Sequence, residues 1–114
     1  MLSLAEAQQG NGAVVLTIGG ELDIATAPEL RARVAAVMDA GARRLVLDLR
    51  AVTFVDSTAL AVFVGARSRL AEDGQIALVI APDSYARLIL EVTGLVGPLN
   101  VVETLEDAID QVAA

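Results

Sequence analysis

Asp56, Ser57 and Thr58 stand in a row within Val-Thr-Phe-Val-Asp-Ser-Thr-Ala-Leu-Ala-Val-Phe-Val-Gly, where a buried-strand pattern hands over to a helical one. Ser and Thr hydroxyls accept hydrogen bonds from the free N–H groups of a helix's first turn, so either residue can cap the helix. With Ser57 as the cap, the Thr58 hydroxyl points outward and is open to modification. A phosphate at that spot suits the fold, because helix N-termini favour negative charge. It also adds roughly two negative charges beside Asp56, changing the surface offered to a docked partner. This is the chemistry of a switch.

The helix that follows supplies a surface. Thr58, Val62, Gly65 and Arg69 recur at helical spacing and share one stripe. The stripe runs from a hydroxyl through an exposed Val and a bare Gly to an Arg, as a docking face would. Gly65 also fits a second account, close packing inside the domain. Leu60, Phe63, Val64 and Leu70 gather on another side, assigned to the core.

Other chemistry is scarce. The chain has no Cys and no His, and its eight basic residues are all Arg. That removes a thiol nucleophile, disulfides, a Schiff-base lysine and the commonest metal ligand. A Ser or Thr nucleophile needs a neighbouring base, and only carboxylates are available. A small hydrolase or transferase built on Thr58 and Asp56 is the weakest reading, since no activating base stands out. Asp23, Asp48 and Asp56 all follow or end strands and suggest a Mg²⁺ cluster, but capping and turn formation explain them better. Gly10-Asn11-Gly12 lacks the third glycine of a dinucleotide loop, with Val15 in its place, and no lysine exists for a Walker loop. Gly19-Gly20-Glu21-Leu22 reads as a turn. No cofactor or metal is expected.

A net charge of −7, with the arginines dispersed, opposes binding to a phosphate backbone. At 55% hydrophobic the chain is too apolar for disorder, yet no uncharged apolar run reaches the roughly 18 residues of a membrane span. The opening residues lack the basic flank of a signal peptide, so the expected location is the cytoplasm.

The elements that position these residues follow from patterning. Leu2 to Gln9 and Ala13 to Ile18 are strands joined at Gly10-Asn11-Gly12, a hairpin signal. Thr26, Pro28 and Glu29 form a capping-box pattern opening a helix whose face is Leu30, Val34, Val37 and Met38, ended by Gly41. Arg44 to Leu49 is a strand apolar on both faces, as in a parallel sheet. A helix is expected from Thr58 to Glu72, a strand from Ile76 to Ile80, and a helix from Pro82-Asp83-Ser84 to near Gly94. Val101-Val102 suits a short strand, and Thr104 caps a helix with Leu105, Ala108, Ile109 and Val112 on its apolar face. The order ββαβαβαβα predicts one α/β domain over residues 1–114, an N-terminal hairpin followed by alternating helices and strands in a mixed, largely parallel sheet packed with helices.

With these elements in place, the chain resembles STAS domains, specifically the bacterial anti-sigma factor antagonists. Gly-Glu-Leu-Asp-Ile-Ala-Thr-Ala-Pro-Glu-Leu at 20–30, Leu-Val-Leu-Asp-Leu at 45–49 and Val-Thr-Phe-Val-Asp-Ser-Thr-Ala-Leu at 52–60 carry the likeness. The resemblance implies a non-enzymatic binding protein. Its unphosphorylated form binds an anti-sigma factor that is also a serine/threonine kinase, freeing the sigma factor. Phosphorylation by that kinase releases it, and a phosphatase resets it. Thr58 matches the family's acceptor, with Ser57 second. Asp23, Asp56, Ser57, Thr58, Ala61, Val62, Gly65 and Arg69 form the implied partner surface. A monomer or weak homodimer is expected. Ala59 and Ala61 depart from the glycines usual in the motif, and they keep open an alternative: a STAS scaffold or accessory subunit of a signalling complex or lipid transporter that never cycles through phosphate.

Overall fold

The computed structural model of the chain describes residues 1–113. It begins with a hairpin of β1 (Leu2–Gln8) and β2 (Val14–Leu22), paired antiparallel. Gly12 N–H donates to the Gln9 carbonyl at 3.1 Å and Gln9 N–H to the Ala13 carbonyl at 2.8 Å. Within Asn-Gly only Gly12 takes a positive φ, +88°. This is the three-residue loop that ends in a bulge, not the two-residue turn.

Along the chain follow α1 (Ala27–Asp39), β3 (Arg44–Val55), α2 (Ser57–Leu70), β4 (Gln75–Val79), α3 (Tyr85–Val92), β5 (Val101–Val102) and α4 (Leu105–Ala113). The strands form one sheet in the order β1-β2-β3-β4-β5, parallel at every junction after the first. Each new parallel strand is added on the same side. Right-handed crossovers then place α1, α2 and α3 on one face. Beneath them the main core gathers Leu16, Ile18, Leu30, Leu47, Phe63 and Leu90. The closing helix α4 is no crossover, and its Ala108 and Val112 cover Val15, Val46, Ala77 and Val79 on the opposite face. Alternate residues of β2, β3 and β4 therefore meet apolar partners on both sides, which explains their near-continuous apolar runs.

Two strands run longer than the patterning suggests. β2 continues through Gly19-Gly20-Glu21-Leu22 and β3 through Val55, paired by way of register shifts at Thr17/Gly19 and Gly20/Glu21. The Gly-Gly segment is thus a bulged strand and not a turn. At Gly20 φ is +102°, and a Cβ would lie 2.0 Å from the Met1 carbonyl oxygen, so only glycine fits between the crossing chains. The helix after Thr58 stops at Leu70, short of Glu72, where Ala71 turns to φ +35°. The Thr104 cap forms as expected, accepting the Asp107 N–H at 3.1 Å, and within Pro82-Asp83-Ser84 the cap of α3 is Ser84, accepting the Arg87 N–H at 3.1 Å.

Candidate docking and modification site

The extra length of β2 and β3 carries their C-terminal ends to the same edge. Leu22 lies opposite Val55, and the Asp56 N–H donates to the Leu22 carbonyl at 3.1 Å. The β2–α1 and β3–α2 loops are consequently neighbours, at the edge where open α/β sheets present ligand sites.

In the β3–α2 loop the cap is Asp56, not Ser57. Asp56 is extended, and its Oδ1 accepts the Thr58 N–H at 2.9 Å. The Thr58 hydroxyl donates to the same Oδ1. Ser57 is left exposed and Thr58 is half-buried, its hydroxyl held by the carboxylate instead of pointing freely outward. That hydroxyl is the main reason the Asp56 carboxyl sits below its usual range; slight burial opposes it, and the N–H groups of Thr58, Ala59 and Ile24 act with it.

In the β2–α1 loop the capping box falls one turn earlier than Thr26–Glu29. Asp23 Oδ1 accepts the N–H of Ala25 at 2.9 Å and of Thr26 at 3.0 Å, and the Thr26 Oγ1 accepts the Asp23 N–H at 3.0 Å. The Thr26 side chain makes no cap to α1 itself, since its hydroxyl donates to the Glu21 carbonyl at 2.7 Å. Asp23 is half-buried and committed to its own loop.

The α2 stripe is divided differently from the expectation. Val62 is core, 5% exposed, whereas Val64 is 38% exposed. Val62 packs towards Val34 and Met38 of α1, so α2 is rotated to serve both the sheet and α1. Ala61, Gly65 and Arg69 border a shallow cavity of about 210 Å³ between the two helices, floored by Val62 and Val34 and faced by Arg31. Gly65 is not there for internal packing, because a Cβ on it meets nothing within 4 Å. Arg69 pairs with Asp39 of α1. At 1.5 Å rise per residue, Arg69 lies about 16 Å along the helix from Thr58. Ala59 is fully buried, so of the two alanines only Ala61 adds a methyl to the surface.

Asp48 does not join a carboxylate cluster. It is buried on the α4 side of β3, where Arg50 binds it through Nε at 3.0 Å and Nη2 at 2.7 Å. Burial pushes its carboxyl up, but the hydrogen bonds and charge of Arg50 outweigh that and hold it below the ordinary range. Among the described residues no three His, Cys, Asp or Glu side chains gather as a metal site requires, and no helix is long and apolar enough to cross a membrane.

Sequence reasoning missed an apolar rim beside the loops. Phe54, 39% exposed, stacks on Tyr85, 48% exposed, with ring centroids 5.7 Å apart and planes 11° from parallel. Leu88 and Ile24 are exposed as well. The signal was present in α3, where Tyr85, Leu88 and Val92 recur at helical spacing. That spacing describes a core stripe equally well, and Ala86 and Leu90 took the core side.

Residues 5–108 match the STAS domain. The chain belongs to the STAS domain family. This STAS domain is 32% identical over 99 residues to the anti-sigma-F factor antagonist RsfB of Mycobacterium tuberculosis, covering 87% of the chain and 80% of RsfB. Its fold superposes on the crystal structure of an anti-sigma factor antagonist from Mycobacterium paratuberculosis with a TM-score of 0.91 at 27% identity, covering 100% and 96% of the two chains. The Bacillus cell fate determinant SpoIIAA, an anti-sigma factor antagonist, matches at 25% identity with a TM-score of 0.69 in both its unphosphorylated and its phosphorylated form. The alignments cover 95% of this STAS domain and 96% and 97% of the two SpoIIAA chains.

Proposed function

We propose that this STAS domain is an anti-sigma factor antagonist controlled by phosphorylation at Thr58. Unphosphorylated, it binds a serine/threonine-kinase anti-sigma factor and frees the sigma factor. Phosphorylated by that kinase, it lets go, and a phosphatase resets it. The chain acts by binding, with no catalysis of its own.

The observation that carries this reading is the placement of Thr58. Its hydroxyl lies in the first turn of α2, at the end of the helix whose dipole favours a phosphate. Around it Asp23, Asp56 and exposed Ser57 come together on adjacent loops, while Ala61, Gly65 and Arg69 extend the surface along α2. Val62 contributes the floor and not a contact. That SpoIIAA is known in both phosphorylation states on the same fold supports release through surface charge without refolding. A loss of about 2.8 kcal/mol lowers affinity a hundredfold, within reach of a phosphate placed against an apolar or acidic partner.

The Ala61 methyl, exposed where the family usually has glycine, favours the second reading, a scaffold or accessory subunit that never cycles. Intact-mass spectrometry after incubation with ATP and purified serine-kinase anti-sigma factors, with site mapping, separates the two. One phosphate on Thr58 supports the switch. No added mass, while the same kinases modify their known antagonists in parallel, leaves the scaffold.

A further inference from the structure

We infer that the apolar rim of Phe54, Tyr85 and Leu88 is the anchor of the kinase-docking surface, seating uncharged apolar side chains of the kinase. This rests on the kinase proposed above and assigns residues outside the Thr58 stripe to its binding. Ala86 and Leu90 hold α3 against the core, which turns Tyr85 and Leu88 outward, 48% and 53% exposed. Phe54 is the second residue before Asp56, and its ring stacks on Tyr85. Four residues of extended chain span at most about 14 Å, so Phe54 is no farther than that from Thr58. A footprint of about 800 Å², the usual size, is a disc about 16 Å in radius. A kinase centred on Thr58 therefore reaches the rim.

The chemistry of the rim suits that occupant. Arg87 and Glu91 border the hollow beside Tyr85 and Leu88, and they pair with each other at 2.8 Å. Their charges cancel, so the rim selects neither an acidic nor a basic side chain. The stacked rings are already fixed against each other and lose little freedom on binding, as anchor residues should. A dimer held by the rim alone is ruled out by area. Three large side chains, about half exposed, offer on the order of 300 Å², against about 800 Å² per partner in a stable complex. The rim is one part of a wider surface, and the Asp56 junction continues it: the exposed Ile24 directs its N–H at the Asp56 carboxylate. Because the anchor carries no charge, a phosphate on Thr58 leaves it unaltered. Affinity and release are divided between neighbouring groups.

The test is calorimetric titration of the full chain with the kinase found by the mass-spectrometric experiment, comparing wild type with Leu88→Ser and Tyr85→Ala. Each variant is expected to lose at least about tenfold in affinity. Each should melt like wild type, as exposed positions do. Thr58 is untouched, so KM for phosphorylation should rise at unchanged kcat. The loss should be equal at low and high salt, since no charge is removed. If Leu88→Ser melts early, Tyr85→Ala supplies the comparison. Wild-type affinity in both variants overturns the inference and leaves the switch standing. So does a wild-type dimer in sedimentation that either variant dissolves at unchanged kinase affinity, which makes the rim a contact between copies. A wild-type chain that no kinase binds or modifies overturns both.

Discussion

The Asp23 carboxylate accepts the Thr26 N–H at 3.0 Å while the Thr26 hydroxyl accepts the Asp23 N–H at 3.0 Å, a reciprocal lock across the β2–α1 loop. Asp23 thus has a structural task besides its place in the proposed docking surface, and substitution can separate the two. Asp23→Ala should cost about 1 kcal/mol of stability through the lost cap. Asp23→Asn keeps the cap and removes the charge, so its melting temperature should stay near wild type while kinase affinity falls. Calorimetric titration beside a thermal melt checks both. Unchanged affinity in Asp23→Asn would leave Asp23 as a cap alone.

Val62 and Val64 offer a matched pair. A carboxylate at position 62 replaces a core side chain that is 5% exposed, and even with Arg31 and Arg69 on the rim of the cavity above it, Val62→Asp should lose at least about 3 kcal/mol. For a domain of this size that lowers the melting temperature by more than about 12 °C. Val64→Asp, on the exposed side, should stay within about 0.5 kcal/mol of wild type. Thermal denaturation of both variants suffices, and a reversed order would mean that α2 is rotated differently.

Acid should find the Asp48–Arg50 pair. The Asp48 carboxyl is held below its unfolded value, so the unfolded chain binds its proton first as pH drops. The stabilisation is complete above the unfolded pKa of about 3.9 and is lost as pH falls through the lower folded value. Asp56 shifts the same way and adds to the slope. Urea unfolding across acidic pH should show a shallower decline in Asp48→Asn than in wild type, with Arg50 charged throughout. Equal slopes would mean the pair contributes nothing.

Thr58→Ala should leave the fold nearly intact, since Asp56 still caps through the residue-58 N–H; the lost hydroxyl bond is worth about 1 kcal/mol. In a pull-down with the kinase it should remain bound whether or not ATP is present. Thr58→Glu should weaken the complex only partly, one charge being a poor copy of phosphate. A Thr58→Ala complex that ATP still dissolves places the switch elsewhere.

The fold was legible where local chemistry had one solution. The hairpin, the element order and the Thr104 cap each rest on a short local pattern. The site was harder because its patterns had rivals. Asp-x-x-Thr at 23–26 and Thr-x-x-Glu at 26–29 are both capping boxes; the Glu21 carbonyl decided between them by taking the Thr26 hydroxyl. Around α2 the run Leu60-Ala61-Val62-Phe63-Val64 is apolar on every side, so periodicity cannot orient it. Packing against α1 and the sheet together did. At Gly19-Gly20 the strand passes through a bulge that breaks the alternation by which strands are recognised.

Tyr85 is the only tyrosine of a chain that has no tryptophan. Its ring rests on Phe54, just ahead of the Asp56 junction. Nearly all intrinsic ultraviolet emission therefore originates at one point, on the rim of the surface a partner is proposed to cover. Docking and release become optical events that need no label, and the molecule carries its own lamp beside the switch.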